Sequence, residues 1–366
     1  MLKKRLEMRF PKNVGTTERM GTTVRSIIPP HMLKELAKRG DDKQREMALR
    51  HLMISEKIRG RREAFGEFYV ATPVSGVKCL NVYDAKEGQT LPGDSIQDPG
   101  NGSDPAAKEA YDGAEATYNM YNDVYGRNSI DDKGMCINSS VHYEQDYDNA
   151  FWDGRQMVYG DGDGKLFNRF TISIDVIGHE LTHGVTENEA GLVYSYQPGA
   201  LNESISDVFG SLVKQRSLNQ TADEADWLIG EGLFTSSVNG KALRSMKDPG
   251  TAYDDPKLGK DPQPGNMKNF KKLPQSEDNG GVHINSGIPN RAFCMTAIEI
   301  GGNAWEEAWK IWYITMRDRL RPQSNFQDAA NKTFQVAWVV FGAGSKEQGA
   351  VKKGWAAVGI NVSAKK

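Results

Sequence analysis

Cysteine is scarce in this chain, which has only three, Cys79, Cys136 and Cys294, among its 366 residues. Three widely spaced cysteines argue against a disulfide framework and against a cysteine-ligated metal site, although a single disulfide between two of them stays open. The chain also lacks an apolar run as long as a membrane-spanning helix. Neither sign of charge dominates, since 46 Lys and Arg accompany 48 Asp and Glu. We therefore expect neither a nucleic-acid nor a membrane partner.

The amino-terminal end lacks a secretory signal. Residues 1–10 carry the positive charge of such a signal, but no apolar stretch follows them. If the protein leaves the cell, it uses a route other than the general secretory signal. The length is sufficient for two domains and a short appendage.

What the chain does contain is a five-residue run, residues 179–183, that reads His-Glu-Leu-Thr-His. Positions four apart lie on one face of a helix, so His179 and His183 can direct imidazole nitrogens at one metal ion, with Glu180 beside a bound water. Glu203 can supply a third ligand from a second helix. Two histidines and a carboxylate with an open fourth position are typical of catalytic rather than structural zinc.

The alternative is that these residues occur by chance on a solvated helix. The segment 172–185 is too apolar for that interpretation, and burying two histidines and a glutamate without a partner would cost several kcal/mol. On the second helix, Glu203 and Asp207 are four apart. This spacing places Asp207 and Asn202 to accept hydrogen bonds from the non-ligating nitrogens of the histidines.

Sequence patterns divide the chain into two halves. Residues 77–83 and 136–143 predict strands, and residues 106–125 predict a long helix. A Pro-rich stretch, 248–279, predicts an irregular segment. The zinc ligands lie near the junction of a strand-rich and a helical half, which predicts a site in the cleft between them. Beyond the zinc helix, helices are predicted over 200–216, 287–301, 304–318, 326–341 and 346–358.

Five further blocks carry a family resemblance. They are residues 149–152 (NAFW), 157–164 (MVYGDGDG), 191–194 (GLVY), 243–246 (LRSM) and 278–287 (DNGGVHINSG). Together with the zinc motif, and in this order, they resemble thermolysin-type neutral metalloproteases. The leader, with IPPHML at residues 28–33, resembles the short propeptide of the protealysin branch.

This resemblance implies an α+β fold in which a strand-rich N-terminal domain and a helical C-terminal domain hold the zinc site between them. We expect a propeptide at 1–65, the strand-rich domain with the zinc helix at 66–190 and the helical domain at 191–366. The implied enzyme is a secreted zinc endopeptidase without a recognisable signal peptide, and a cytoplasmic location is the alternative. We expect a monomer.

The resemblance also assigns roles around the zinc. Glu180 is the predicted general base, which relays a proton to the leaving amine. Tyr194 and His283 are the implied donors to the oxyanion, and Asp278 orients His283.

Substrate contacts follow from the same resemblance. Asn149 and Ala150 are implied to hold substrate backbone groups, and Arg244 to reach a substrate carbonyl. The residue after the scissile bond enters an apolar pocket, which predicts cleavage before Leu, Ile, Val or Phe. Plain core packing is the alternative for each wall residue. The wall is formed by Phe167, Phe170, Val176, Ile229, Leu233 and Leu243.

The leader is predicted to inhibit the enzyme until it is removed by self-cleavage. Helical spacing over 31–38 and 43–57 and a basic end at 59–62 indicate a separate segment, and an ordinary N-terminal subdomain is the alternative. We expect the cut between Arg59 and Thr72. The predicted partners are protein and peptide substrates and the chain's own leader.

Calcium is where the sequence departs from the family pattern. The positions that match a double calcium site are Asp175, Lys214, Asp226, Leu228 and Glu231, so a lysine and a leucine replace two acids. Too few oxygen ligands remain for calcium. We predict that this site is lost and that Lys214 pairs with Asp175, Asp226 or Glu231. In a second calcium loop, Lys241 stands where the pattern has an acid, and zinc is the only metal that we expect to be required.

Two other functions compete with this prediction. An inactive zinc-stabilised binding protein would be signalled by the loss of Glu180, Tyr194 or His283, and all three are present. An aminopeptidase would act on smaller substrates, whereas an open edge for strand pairing favours an endopeptidase.

Overall fold

The computed structural model describes residues 25–65 and 77–363 of the chain. The leader forms a short strand and two helices, β1 (Arg25–Ser26), α1 (Pro30–Arg39) and α2 (Asp42–Phe65). Pro30 is the first residue of α1, a position whose backbone N–H has no hydrogen-bond partner within the helix, so proline costs no hydrogen bond there. Met32, Leu33 and Leu36 make the buried face of this helix.

A six-stranded sheet follows. Its strands are β2 (Leu80–Asp84), β3 (Asp94–Ser95), β4 (Ile137–Val141), β5 (Ala150–Trp152) and β6 (Met157–Tyr159), together with β1, in the order β1-β5-β6-β4-β2-β3. β2, β4 and β6 run parallel, while β5 runs antiparallel to β6. β1 pairs with β5 in antiparallel register, with Arg25 opposite Trp152 and Ser26 opposite Phe151. The leader therefore supplies an outer strand of the sheet.

A disulfide joins Cys79 and Cys136, which precede the neighbouring strands β2 and β4. The sequence left a disulfide between two of the three cysteines open without indicating which two. Cys294 is a buried free thiol.

Helix α3 (Pro105–Tyr125) packs on the sheet through small residues. Asp104 caps its start by accepting from the amides of Ala106 and Ala107. Gly113 allows close contact with the zinc helix, because a Cβ there would lie 2.3 Å from Ile177 Cδ1. The absence of a side chain at Gly113 thus allows the zinc helix to pack closely against α3.

The zinc helix α4 (Ile174–Asn188) and the second ligand helix α5 (Tyr196–Ser217) cross in close contact. A Cβ at Gly178 would lie 3.1 Å from Gly210 Cα, and a Cβ at Gly210 would lie 2.2 Å from the carbonyl oxygen of Asp175. Two backbones can approach this closely only where both residues lack a side chain. The crossing brings the Glu203 face of α5 onto the histidines of α4.

The carboxyl-terminal part is helical and follows an irregular stretch of short strands. The strands are β7 (Leu228–Ile229), β8 (Arg244–Ser245), β9 (Asp254–Asp255) and β10 (Gly259–Lys260), and a 3₁₀ turn spans Met267–Asn269. An earlier 3₁₀ turn, Phe170–Ile172, precedes the zinc helix. The helices are α6 (Asp278–Asn285), α7 (Gly287–Ile300), α8 (Ala308–Ile314), α9 (Phe326–Phe341) and α10 (Lys346–Ala357). Within the described ranges, no helix is both long and apolar enough to span a membrane.

One helix prediction is wrong in detail. A single helix was expected over 304–318, but the structure has α8 and then a π-helical turn, Thr315–Arg319. Wide i to i+5 hydrogen bonds flank α8, from Trp309 N to Ala304 O at 3.1 Å and from Leu320 N to Thr315 O at 2.9 Å. Apolar periodicity does not distinguish such a turn from a continuous α-helix.

Candidate active site

Three side chains from α4 and α5 converge in the buried centre of the molecule. His179 Nε2 lies 3.5 Å from Glu203 Oε2, and His183 Nε2 lies 3.4 Å from Glu203 Oε1. The ligand atoms of these three residues all lie within 4.8 Å of one another. This is the cluster that the sequence predicted.

The donor set fits a zinc ion. His179 Nε2 and Glu203 Oε2 are buried and make no hydrogen bond with any described residue. Buried polar atoms without partners are costly, so two of them directed at one point fit the binding of a metal ion between them. Two imidazoles and one carboxylate are the protein ligands of catalytic zinc.

The histidines are oriented by residues of α5. His179 Nδ1 donates to Asp207 Oδ1 at 2.8 Å, and His183 Nδ1 lies 2.8 Å from Asn202 Oδ1 and 2.9 Å from Ser206 Oγ. A histidine that donates from Nδ1 presents the lone pair of Nε2 to the metal. Both expected orienting residues therefore lie in contact with their histidines.

Asp207 is itself anchored. Arg244 donates from Nη2 to Asp207 Oδ1 at 2.8 Å and from Nε to Oδ2 at 3.0 Å, and Asn290 Nδ2 donates to Oδ2 at 2.8 Å. Burial acts to raise the pKa of Asp207, but the charge of Arg244 and the hydrogen bond from His179 outweigh it and hold that pKa well below its usual range. Asp207 is therefore ionised and fixes the ring of His179.

Glu180 lies on α4 between the two histidines and is fully buried. Its Oε2 accepts a hydrogen bond from the backbone amide of Trp152 at 3.1 Å. Because Trp152 belongs to β5, this contact sets the carboxylate against the strand that pairs with the leader. Glu180 is thus held beside the metal cluster without belonging to it.

Tyr194 and His283 close the other side of the cluster. The Tyr194 hydroxyl donates to the Glu203 carboxylate and lies 3.2 Å from His283 Nε2. His283 Nδ1 donates to Asp278 Oδ1 at 2.5 Å, and the His283 amide donates to Asp278 Oδ2 at 2.9 Å. Burial acts to lower the pKa of His283, but the charges of Glu203 and Asp278 raise it to about 9.

A left-handed turn in the backbone makes this arrangement possible. Asn279, Gly280 and Gly281 have φ of 50°, 82° and 85°. A run of this kind favours glycine, since a side chain costs energy at positive φ. The turn folds the carboxylate of Asp278 back onto the ring of His283.

The substrate-binding residues implied by the resemblance hold the leader. Ala150 O accepts from the amide of Ile27 at 3.1 Å, and Asn149 Oδ1 accepts from the amide of Ile28 at 3.0 Å. Arg244 Nη1 donates to the carbonyl of Ile27 at 3.2 Å. Peptide backbone therefore occupies this part of the cleft.

Sequence reasoning missed the strand that makes these contacts. It used the Pro-Pro element and the leader helices but assigned no structure to residues 25–28. A usable signal was present, because the residue before a proline is driven to an extended conformation, and two prolines follow Ile28.

The apolar wall residues lie together in one buried cluster with Ile27. Phe167 and Phe170 stack with ring centroids 5.8 Å apart. Ile229 belongs to β7, and Leu243 directly precedes β8, which pairs with β7. Val176 and Leu233 are also fully buried. The whole predicted wall is thus apolar and removed from water.

Lys214 forms the predicted ion pairs. Its Nζ lies 2.7 Å from Asp226, 3.1 Å from Glu231 and 3.9 Å from Asp175. Burial acts to raise the pKa of Asp175 above its usual range, and Lys214 opposes that rise. Burial in turn acts to lower the pKa of Lys214, but the carboxylates prevail and raise it.

The site combines two histidines and a glutamate in zinc-binding geometry, a second glutamate beside them, and a cleft that binds peptide backbone. Together these features define a zinc metalloendopeptidase. Residues 56–187 match the catalytic domain of thermolysin metallopeptidases, and residues 190–360 match their alpha-helical domain. The chain belongs to the thermolysin family. The predicted fold, a strand-containing catalytic part followed by a helical domain, is confirmed.

Similar proteins come from several bacteria. An extracellular metalloprotease of Pectobacterium carotovorum subsp. carotovorum is 48% identical over 341 residues, which are 92% of this chain and 96% of that protein. A thermolysin of Alicyclobacillus acidocaldarius subsp. acidocaldarius is 39% identical over 307 residues, or 81% of this chain and 53% of that protein. The solved precursor of protealysin, a metalloproteinase from Serratia proteamaculans, is 51% identical with a TM-score of 0.82, covering 92% of this chain and 99% of that one.

Proposed function

We propose that this zinc endopeptidase is made as a self-inhibited precursor and cleaves proteins before Leu, Ile, Val or Phe. The observation that carries the proposal is that the residues assigned to substrate binding, Asn149, Ala150 and Arg244, hold the leader's own backbone in the cleft. A peptide that occupies the substrate groove excludes other peptides.

Zinc, held by His179, His183 and Glu203, would supply a Lewis acid and lower the pKa of a bound water to about 7. Glu180 takes the proton from the attacking water and delivers it to the leaving amine. The amide of Trp152 fixes one oxygen of the Glu180 carboxylate and so fixes the direction of this transfer.

Tyr194 and His283 act on the opposite side of the scissile carbonyl. His283 Nε2 donates to the negative oxygen that develops there, since its Nδ1 is committed to Asp278. Tyr194 adds a second donor from its hydroxyl. Arg244 serves twice, because it binds a peptide carbonyl and fixes Asp207 behind the ligand His179.

The proposed preference for an apolar residue rests on the pocket. Its six wall residues are buried and apolar, so a charged side chain would lose hydration there without gaining a partner. Ile27 of the leader, which is fully buried in the same cluster, has the side chain that this proposal requires.

Maturation would remove residues 1 to about 65 by a self-cut between Arg59 and Thr72. Within that interval, helix α2 extends to Phe65, and residues 66–72 lie outside the described residues. We propose the domain limits 1–65, 66–190 and 191–366, a monomeric state and secretion. Secretion is supported by a relative named as an extracellular metalloprotease.

Casein digestion with and without a zinc chelator tests the activity, and a peptide library with mass spectrometry of the products tests the preference. We expect digestion that is lost on chelation and restored by zinc, with cuts before large apolar residues. An inactive binding protein would digest nothing, and an aminopeptidase would release only single terminal residues. Cuts before charged residues would contradict the proposed pocket.

A further inference from the structure

The leader lies in the cleft with one peptide bond at the catalytic groups. The carbonyl oxygen of Ser26 lies 3.2 Å from His283 Nε2, and His283 Nε2 lies 3.5 Å from the ligand oxygen Glu203 Oε2. The next amide along the chain, that of Ile27, donates to Ala150 O. The bond between Ser26 and Ile27 is therefore the one that faces the metal ligands.

The direction of the leader is that of a substrate. On the carboxyl side of this bond, the Ile27 carbonyl accepts from Arg244 and the Ile28 amide donates to Asn149. On its amino side, Arg25 and Ser26 pair with β5. If the leader ran in the opposite direction, its amides and carbonyls would exchange places opposite β5 and these hydrogen bonds could not form. The contacts therefore fix the direction of the leader in the cleft.

The residue after the bond also meets the proposed specificity. Ile27 is fully buried in the apolar cluster that includes the pocket wall. From these contacts we propose that Ser26–Ile27 is a self-cleavage site within the leader, distinct from the cut that separates leader and enzyme. This inference rests on the proposed endopeptidase function and extends it to a defined bond.

The step is a hydrolysis with water as the only co-reactant. The Ser26 C–Ile27 N bond breaks, the water oxygen bonds to the Ser26 carbonyl carbon, and Glu180 relays both water protons to the Ile27 nitrogen. The products are a peptide that ends in the Ser26 carboxylate and a chain that begins with the Ile27 ammonium group. No electron donor or acceptor is needed.

The cut alone does not free the enzyme. Among the described leader residues, several that follow the bond are buried, namely Met32, Leu33 and Leu36 of α1 and His51 and Ile54 of α2. The cut chain therefore remains docked through these helices, with Ile27 and Ile28 still in the groove. It behaves as a retained product, and activity appears only after the leader dissociates.

The test compares the full-length zinc-loaded protein with its Glu180→Gln variant by intact mass and amino-terminal sequencing. We expect a new terminus at Ile27 in the wild type and none in Glu180→Gln. The first-order rate constant for formation of this terminus should be unchanged on dilution of the protein, because the bond is presented within its own chain. A rate constant that falls with dilution would overturn the proposal, because cleavage would then be between molecules.

Two substitutions test whether an apolar side chain at residue 27 is needed for the cut. Ile27→Asp should form the terminus at residue 27 at least about tenfold more slowly, whereas Ile27→Leu should retain it. If Ile27→Asp fails to fold, the Ile27→Leu and dilution measurements still decide the question. Equal rates for both variants would overturn the proposal.

Casein digestion by the mature wild-type enzyme separates this inference from the proposed function. Casein digestion without any Ile27 terminus in the precursor would overturn the inference and leave the endopeptidase function standing. The absence of both would overturn both.

Discussion

Gly178 and Gly210 meet where the zinc helix α4 crosses α5, and the contact leaves no room for a side chain at Gly210 and little at Gly178. A Cβ added at Gly210 would lie 2.2 Å from the carbonyl oxygen of Asp175 and 3.0 Å from the amide nitrogen of His179. Both neighbours are backbone atoms and cannot rotate away. The distance between these helices sets the distance between Glu203 and the two histidines.

Gly210→Ala should therefore destabilise the protein by about 1 to 3 kcal/mol, since the helices must separate, and should weaken zinc binding. Denaturant unfolding and zinc titration measure the two effects. Gly349→Ala is the matched control, because Gly349 lies in helix α10 with nothing within 4 Å of the added Cβ. That control should be neutral or slightly stabilising. Equal stability of the two variants would show that the crossing tolerates a methyl group.

Glu180→Gln should abolish proteolysis while zinc stays bound. Glu180 belongs to none of the three ligand positions, and its charge serves proton transfer only. His179→Ala should instead lose zinc, because it removes a ligand. Metal analysis together with casein hydrolysis distinguishes the two variants. Substantial residual activity in Glu180→Gln would require a different base.

Lys214→Met should destabilise the protein by about 1 to 3 kcal/mol, because it leaves the buried Asp175 without its cation. The loss of stability should be smaller than on breaking a fully buried ion pair, because Asp226 and Glu231 are partly exposed and solvated. We further expect calcium to change the wild-type melting temperature little, and to stabilise Lys214→Glu more.

Lys241→Met is the control for charge removal. Lys241 is exposed, and its loss should alter stability by no more than about 0.5 kcal/mol. Thermal unfolding with added calcium and with a calcium chelator measures all of these proteins. A large calcium-dependent rise in the wild-type melting temperature would contradict the loss of the site.

Acid should loosen the leader through His51. This side chain is fully buried on α2, and its ring lies 4.8 Å from that of Tyr147. Burial and the charge of Arg50 lower the pKa of His51 to about 3, against the opposing effect of Asp146. The docked leader thus holds His51 neutral.

His31 acts in the same direction from α1. Its Nε2 lies 3.1 Å from the Tyr253 hydroxyl, and burial lowers its pKa to about 4. Among the charged groups around His31, Asp278 and Glu35 favour its protonation, whereas His283 and Arg244 oppose it.

Both pKa values are lower in the docked state than in free histidine, so the released leader binds more protons. Docking is therefore strongest above about pH 6.5 and weakens as the pH falls from there toward the docked pKa values, by about 2 kcal/mol per histidine at pH 5. Hydrogen exchange of leader amides in the Glu180→Gln precursor measures this loss. A precursor with both His31→Gln and His51→Phe should lose most of the pH dependence, and an unchanged dependence would refute the role of these histidines.

The zinc site was predictable because its determinants are local. The spacing of His179 and His183 on one helix and of Glu203 and Asp207 on the next fixes which side chains share a face, and the structure has those faces together. The ends of α9 and α10 were also close to their predicted limits, because apolar periodicity marks these helices.

The rest depends on contacts between distant segments. The pairing of Ser26 with Phe151 joins residues far apart in the chain, and no local pattern in either segment encodes it. Burial of His51 against Tyr147 is likewise a property of docking rather than of helix α2, whose sequence is charged on most sides. The close approach of Gly178 and Gly210 could not be predicted from either helix alone. Within a single helical pattern, an isolated glycine indicates only a less stable helix, and its role in a helix crossing is seen only when both helices are in place.

Strand β1 also closes the edge of a sheet. Without it, β5 would present unpaired amides and carbonyls along one side, and an open edge pairs readily with any extended chain. With β1 in place, the leader covers this edge of the sheet. Under the proposed function, the backbone groups that would bind a substrate peptide are the same groups that the leader keeps from pairing with another chain.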